Sequence, residues 1–201
     1  MAFNLLGIKI EITFLFVAFI SFVISLNAPS NVIMTIISSM LHEIGHLTIM
    51  LILKNKPEKI RFELTGINII RNQDKKISSK KEVLIALGGP LMNLSIVTIC
   101  CIILSTYDND SILIFSGINL ILMIFNLLPI KKLDGGLALY HSLSKKFDLN
   151  FTYLILKVTS IIFILIIFVW GIYIFIVSRY NISLIIIAIF LVISLFGDNE
   201  Y

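Results

Sequence analysis

The chain has 201 residues and a formal net charge of +4; 58% of its residues are hydrophobic, 14% are charged, and its mean hydropathy is +1.03. A soluble domain carries about 25% charged residues, and a 22.7 kDa chain cannot hide so much apolar surface from water, which excludes a soluble single-domain enzyme. A disordered chain and a nucleic-acid partner are excluded too, because the basic residues lie between long apolar runs, and the composition predicts an integral membrane protein.

Long stretches without a charged residue predict the membrane spans. Four of them have 18 to 25 residues, about the length with which a helix crosses ~30 Å of hydrocarbon. A fifth stretch, 12–41, contains the turn signal Asn27-Ala28-Pro29-Ser30-Asn31, which divides it into two helices. The sequence therefore predicts an all-α polytopic membrane protein, one transmembrane domain over 1–201 with about six transmembrane helices. These spans are expected at 10–26, 32–53, 83–105, 111–129, 152–177 and 182–197.

The lysine and arginine residues lie on one side of these spans. Of the 16, 15 precede the first span or lie within 54–81 and 131–157, whereas the opposite connections hold Arg179 alone. The positive-inside rule then places both termini and both long loops in the cytoplasm. The first span lacks a small-residue cleavage site and is interpreted as a retained helix rather than a signal peptide.

The second span contains His42, Glu43 and His46 in the pattern HExxH. The spacing of four residues puts both histidines on one helix face, where they can reach one metal ion, and Glu43 lies beside them as a base for a water molecule. A hydrogen bond between helices is the structural alternative. Ionisable groups at membrane depth cost roughly 2.5–3.5 kcal/mol each and are functional by default, which favours a metal site.

The first long loop alternates apolar and polar residues. Ile60-Arg61-Phe62-Glu63-Leu64 and Ile67-Asn68-Ile69 both have period two, and Thr65-Gly66 lies between them. This pattern predicts a small β-hairpin. It is interpreted as an amphipathic cap on the membrane surface or as an edge to which an extended peptide segment adds.

A catalytic zinc site needs a third protein ligand. Asp134 is an acidic residue close to the cytoplasmic end of another span, and His141 in a predicted surface helix is the competing candidate. Pro129 ends the fourth span, and the glycines after Asp134 allow a tight turn toward a buried ion. The two lysines between Pro129 and Asp134, Lys131 and Lys132, are expected to extend toward the lipid headgroups.

Two further motifs accompany HExxH: Gly88-Gly89-Pro90-x-x-Asn93, which opens the third span, and Asn126-x-x-Pro129-x-x-x-Leu133-Asp134-Gly135-Gly136 after the fourth. Together the three motifs resemble the site-2 protease family of intramembrane zinc metalloproteases. The resemblance implies one Zn²⁺ per chain, with Glu43 as the catalytic acid/base. It implies His42, His46 and Asp134 as metal ligands and Asn93, Asn126, Gly89 and Pro129 as substrate-binding residues. For Asn93 and Asn126, hydrogen bonding between helices is the alternative.

The function implied is hydrolysis of a peptide bond in or near a transmembrane segment of a membrane-tethered protein. The layout is most similar to the stage IV sporulation protein FB branch, which cleaves a sigma-factor precursor by regulated intramembrane proteolysis. That similarity implies a bacterial cell or forespore membrane and membrane-protein regulators. The sequence ends at Tyr201, so no counterpart of that branch's C-terminal regulatory domain is expected. An inactive membrane scaffold and a metal-handling membrane protein of the same fold remain the alternatives.

Overall fold

The computed structural model describes residues 2–5, 8–25, 29–63, 66–70 and 77–197. The chain divides into two compact units, 1–124 and 125–201. The assignment of 1–201 to one domain stays a prediction. The turn predicted at 27–31 lies partly outside the described residues.

The first unit contains a four-stranded sheet in the order β1-β2-β3-β4. The strands are β1 (Ala2–Leu5), β2 (Ile8–Ile12), β3 (Lys59–Glu63) and β4 (Gly66–Ile70). The antiparallel pairing of β3 with β4 agrees with the predicted hairpin, whereas β2 joins β3 in parallel. The first span was expected from residue 10, and this boundary is wrong. Residues 8–12 alternate apolar and polar side chains, a period that suits a half-buried strand better than a helix.

One face of this sheet carries an ion cluster around Glu11. The Glu11 carboxylate lies 2.7 Å from Lys59 Nζ, 3.1 Å from Lys9 Nζ and 3.2 Å from Arg61 Nε. Hydrogen bonds from Lys59, then Lys9 and Arg61, lower the pKa of Glu11 from 4.5 to about 2. The cluster therefore bridges β2 and β3, which are the most distant in sequence of the strands that pair with each other.

Four helices belong mainly to this unit: α1 (Phe14–Ser25) and α2 (Ser30–Ile52) lie between β2 and β3, and α3 (Ser79–Leu104) and α4 (Asp110–Asn126) follow β4. Helices α2 and α3 approach each other closely at Gly45 and Gly88. A Cβ added at Gly88 would lie 2.8 Å from the Gly45 carbonyl oxygen, so only glycine permits this separation. Small residues at helix contacts are typical of membrane proteins, because close backbone approach replaces the missing hydrophobic driving force.

The second unit contains α5 (Asp134–Leu143), α6 (Leu149–Ser178) and α7 (Ser183–Gly197). The carboxylate of Asp148 accepts a hydrogen bond from Phe151 N and caps α6. Helices α6 and α7 pack around an apolar core that also takes in the connection before α5. The buried core residues are Ile130, Ile164, Ala188, Leu191 and Leu195.

Among the residues that the structure describes, three helices are long and apolar enough to cross a membrane: α2, α3 and α6, with 23, 26 and 30 residues. Helices α1, α4 and α7 are shorter and also apolar, so six crossing segments stay a prediction. Large apolar side chains on these helices face outward; Phe14 is 83% exposed and Trp170 is 59% exposed. Such continuous exposed apolar surface suits lipid and not water, which supports a membrane protein.

Candidate metal centre

The two histidines of HExxH converge within α2. His42 and His46 are both buried, and their Nε2 atoms lie 3.2 Å apart. Two nitrogens that each bind one tetrahedral zinc ion at 2.0–2.1 Å are separated by about 3.3 Å. The observed separation therefore fits a pair of ligands to a single ion, as expected for an i, i+4 pair on one helix face.

The ring of His46 is held by the backbone of α3. His46 Nδ1 lies 2.7 Å from the Ile85 carbonyl oxygen. The backbone N–H of Gly89 lies 3.3 Å from the same nitrogen, but a carbonyl oxygen only accepts, so the shorter contact requires the proton on Nδ1. The Nε2 lone pair is then left for a metal ion, since carbonyl-bound Nδ1–H is the usual outer partner of a ligating histidine.

Gly89 faces both rings across the contact between α2 and α3. A Cβ built at Gly89 would lie 2.5 Å from Nε2 of His42 and 2.5 Å from Nε2 of His46. Any larger residue would therefore fill the space toward which both ligand atoms point. The absence of a side chain at Gly89 leaves room for an ion there.

Asp134 is the first residue of α5 and is half-buried. His42, His46 and Asp134 are a group that could hold a metal ion, and each of them offers one ligand atom. Two imidazole nitrogens and one carboxylate oxygen are a ligand set of catalytic zinc sites, so the group fits one Zn²⁺. Within the described part of the chain, His141 belongs to no such group of potential ligands.

The remaining predicted residues differ in their surroundings. Glu43 is half-buried in the same turn of α2 as the histidines. Asn126 is the last residue of α4, and Pro129 lies in the connection to α5; both are half-buried. Asn93 lies one turn beyond Gly89 on α3 and is fully buried. Within the described residues, neither polar atom of its amide has a hydrogen-bond partner.

The sequence did not predict several of the contacts made by polar groups in and around the helices. The partner of His46 could not be predicted from residue types, because a backbone carbonyl such as that of Ile85 is present in every residue. Asn119 donates hydrogen bonds to Ser38 Oγ at 2.9 Å and to the Phe115 carbonyl, which places a polar contact between α2 and α4. The expectation that Lys131 extends toward the headgroups is wrong, because its side chain is only 2% exposed.

The chain is similar to known proteases. The chain is 33% identical over 157 residues to a zinc metalloprotease of Methanocaldococcus jannaschii, an alignment that covers 72% of this chain. The chain spans about 45% of the length of that curated relative. A solved structure of a site-2 protease from the same organism superposes with a TM-score of 0.67 at 26% identity, covering 100% of this chain and 95% of that one. No family model matches the chain.

Proposed function

We propose that this chain, which belongs to the site-2 protease family, is an intramembrane zinc metalloprotease that hydrolyses a peptide bond in or near a transmembrane segment of a membrane-tethered protein. The observation that carries the proposal is the 3.2 Å separation of the two imidazole Nε2 atoms, with the Asp134 carboxylate in the same ligand group. The apolar helices supply the membrane setting for such a substrate.

In the proposed mechanism, His42, His46 and Asp134 hold the metal. When bound, the metal supplies Lewis-acid chemistry, namely polarisation of a peptide carbonyl and activation of water. The Glu43 carboxylate accepts a proton from the attacking water and returns it to the leaving amine. The hydrogen bond from His46 to the Ile85 carbonyl keeps that ring in one tautomer and one orientation throughout the cycle.

The substrate must be extended at the cleaved bond, because the hydrogen bonds of a helix shield its peptide groups. An extended substrate segment could pair with one of the outer strands of the sheet. Since β3 is paired on both sides, an added segment pairs with β4 or with β1 at the edge of the sheet. The amides of Asn93 and Asn126 are assigned to the unwound substrate backbone, and Gly89 and Pro129 to the lining of the site.

The finer assignments follow from the layout of the predicted spans. We place the termini in the cytoplasm of a bacterial cell or forespore, and the substrate among tethered sigma-factor precursors, with membrane proteins as regulators. Nucleic acid is not expected as a partner. These assignments are supported by the distribution of lysine and arginine and by the three motifs in the sequence.

The test co-expresses the full chain with single-span membrane reporters, one of which is a tethered sigma-factor precursor, and compares the wild type with Glu43→Gln. The wild type is expected to release a cleaved product, and the variant is expected to retain zinc but release none. Cleavage by Glu43→Gln would contradict the role of the carboxylate. Zinc bound by a wild type that cuts no reporter would favour the scaffold or the metal-handling protein. Cleavage of other reporters but not of the sigma-factor precursor would remove the sporulation role alone.

A further inference from the structure

A buried lysine lies three residues before the proposed aspartate ligand. Lys131 is 2% exposed and is the largest of the side chains that are fully buried among the described residues. Its neighbour Lys132 is exposed. Burial of an ammonium group is costly unless other groups compensate for the lost water. A lysine in this position therefore needs a reason beyond filling space, which methionine would do at lower cost.

Helix α6 holds Lys131 at two points. The ammonium group lies 5.4 Å from the centroid of the Tyr153 ring, within the range of a cation–π interaction. The backbone N–H of Lys131 donates to Ser160 Oγ at 3.0 Å. Tyr153 and Ser160 are seven residues apart, so they lie on the same face of α6, two turns from each other. Side chain and backbone are thus attached to one rigid helix.

The attachment continues along the chain to Asp134. Ile130, which precedes the lysine, is 1% exposed in the core of α6 and α7. Leu133 N donates to the Ile130 carbonyl at 2.8 Å, which closes a turn across the lysine pair. Gly136 packs directly against the same carbonyl, with no room for a Cβ. The start of α5, and with it the Asp134 carboxylate, is therefore set by the position of the segment that α6 holds.

We propose that Lys131 is a positioning residue for Asp134, and that its cation–π contact with Tyr153 holds the connection before α5 so that the carboxylate keeps the position from which it would bind the metal. The inference rests on the proposed function in one respect, the assignment of Asp134 as a zinc ligand. Residues that orient a ligand from outside the ligand set typically change metal affinity 10–100-fold when replaced.

The experiment measures zinc affinity of the purified full-length chain in detergent, by competition with a chelator, for two matched pairs of variants. Lys131→Met removes the buried charge at similar volume, and Lys132→Met removes the exposed charge next to it. Tyr153→Leu removes the ring face, whereas Tyr153→Phe retains it. Lys131→Met and Tyr153→Leu are expected to weaken zinc binding by roughly 10–100-fold. Lys132→Met and Tyr153→Phe are expected to bind as the wild type does.

A second readout separates positioning from loss of the fold. The visible spectrum of bound Co²⁺ reports its ligand set, so it is expected to change in Lys131→Met and to stay unchanged in Lys132→Met. If Lys131→Met does not fold, the proposal is tested by comparing Tyr153→Leu with Tyr153→Phe, again by zinc affinity and by the Co²⁺ spectrum. Equal zinc affinities and spectra across all four variants would overturn the proposal, and so would equal losses in both lysine variants.

His46→Ala, measured in the same series, separates this inference from the proposed function. If the wild type binds no zinc, or His46→Ala binds zinc as tightly as the wild type, the metal centre itself is wrongly assigned. If His46→Ala loses zinc while Lys131→Met retains full affinity, the metal centre stands and the positioning role alone is refuted.

Discussion

Substitution of Gly89 by alanine tests the position of the metal ion most directly. The new methyl carbon would lie 2.5 Å from three ring atoms of His42 and His46, whereas ordinary van der Waals contact begins near 3.4 Å. A shortfall of this size forces at least one imidazole to move. The His46 ring cannot turn without losing its 2.7 Å hydrogen bond to the Ile85 carbonyl, so the displacement is expected to fall on His42.

The expected magnitude follows from the energy of overpacking. Extra carbon in a close-packed site costs about 1–3 kcal/mol. At 1.4 kcal/mol for each factor of ten, zinc binding is expected to weaken by roughly 5- to 140-fold in Gly89→Ala. The measurement is the zinc dissociation constant of the purified chain, together with cleavage of a membrane-tethered reporter.

Gly117 supplies the matched control. It lies within α4, and a Cβ added there meets nothing within 4 Å. Gly117→Ala is therefore expected to leave zinc binding unchanged and to stabilise the helix by up to about 1 kcal/mol. Wild-type zinc affinity in Gly89→Ala would refute the placement of the ion in the space between Gly89 and the two imidazoles.

Two further predictions concern the third ligand and the sheet. Asp134→Ala is expected to lower zinc affinity at least tenfold and His141→Ala to leave it unchanged, as measured by equilibrium dialysis; the opposite order would make His141 the ligand. Because the folded-state pKa of Glu11 is about 2, below its usual 4.5, its stabilising effect is present above about pH 4.5 and is lost as the pH falls toward 2. Urea unfolding between pH 5 and 2 is expected to show this loss in the wild type and a smaller one in Glu11→Gln, and parallel curves for both would contradict the ion cluster.

The family resemblance drawn from three short motifs is confirmed by the comparisons. The motifs were sufficient to identify the family because each one depends on the spacing of residues that are close in sequence. The i, i+4 spacing of His42 and His46 depends only on the pitch of a helix, and the structure brings their Nε2 atoms together. A single family motif could not have told a ligating pair from a hydrogen bond between helices.

The helix positions were also largely determined by the sequence. From residue 30 onward, helices α2, α3, α4, α6 and α7 begin and end within about four residues of the spans predicted from the sequence. That each of them crosses the membrane stays a prediction. The start of the first span was misplaced. Residues 8–12 combine an apolar composition with a strand period, and the period was the informative signal.

Tertiary structure alone decided the contacts between residues distant in sequence. The parallel pairing of β2 with β3 joins positions fifty residues apart, such as Lys9 and Lys59, and local periodicity carries no information on such a partner. The same holds for Gly89 opposite the two imidazoles and for the Ile85 carbonyl on His46.

Lys131 and its neighbour Lys132 show which property of a residue the sequence predicts and which one only the tertiary structure decides. From the sequence, Lys131 and Lys132 are equivalent, and both were expected to reach the headgroups. The structure buries the first against Tyr153 and exposes the second. The sequence determined the membrane setting, the approximate helices and the chemistry of the candidate ligands, because these depend on composition and on helix pitch. Only the packing of the chain decided which of the two lysines is buried, because burial depends on contacts with residues that are distant in sequence.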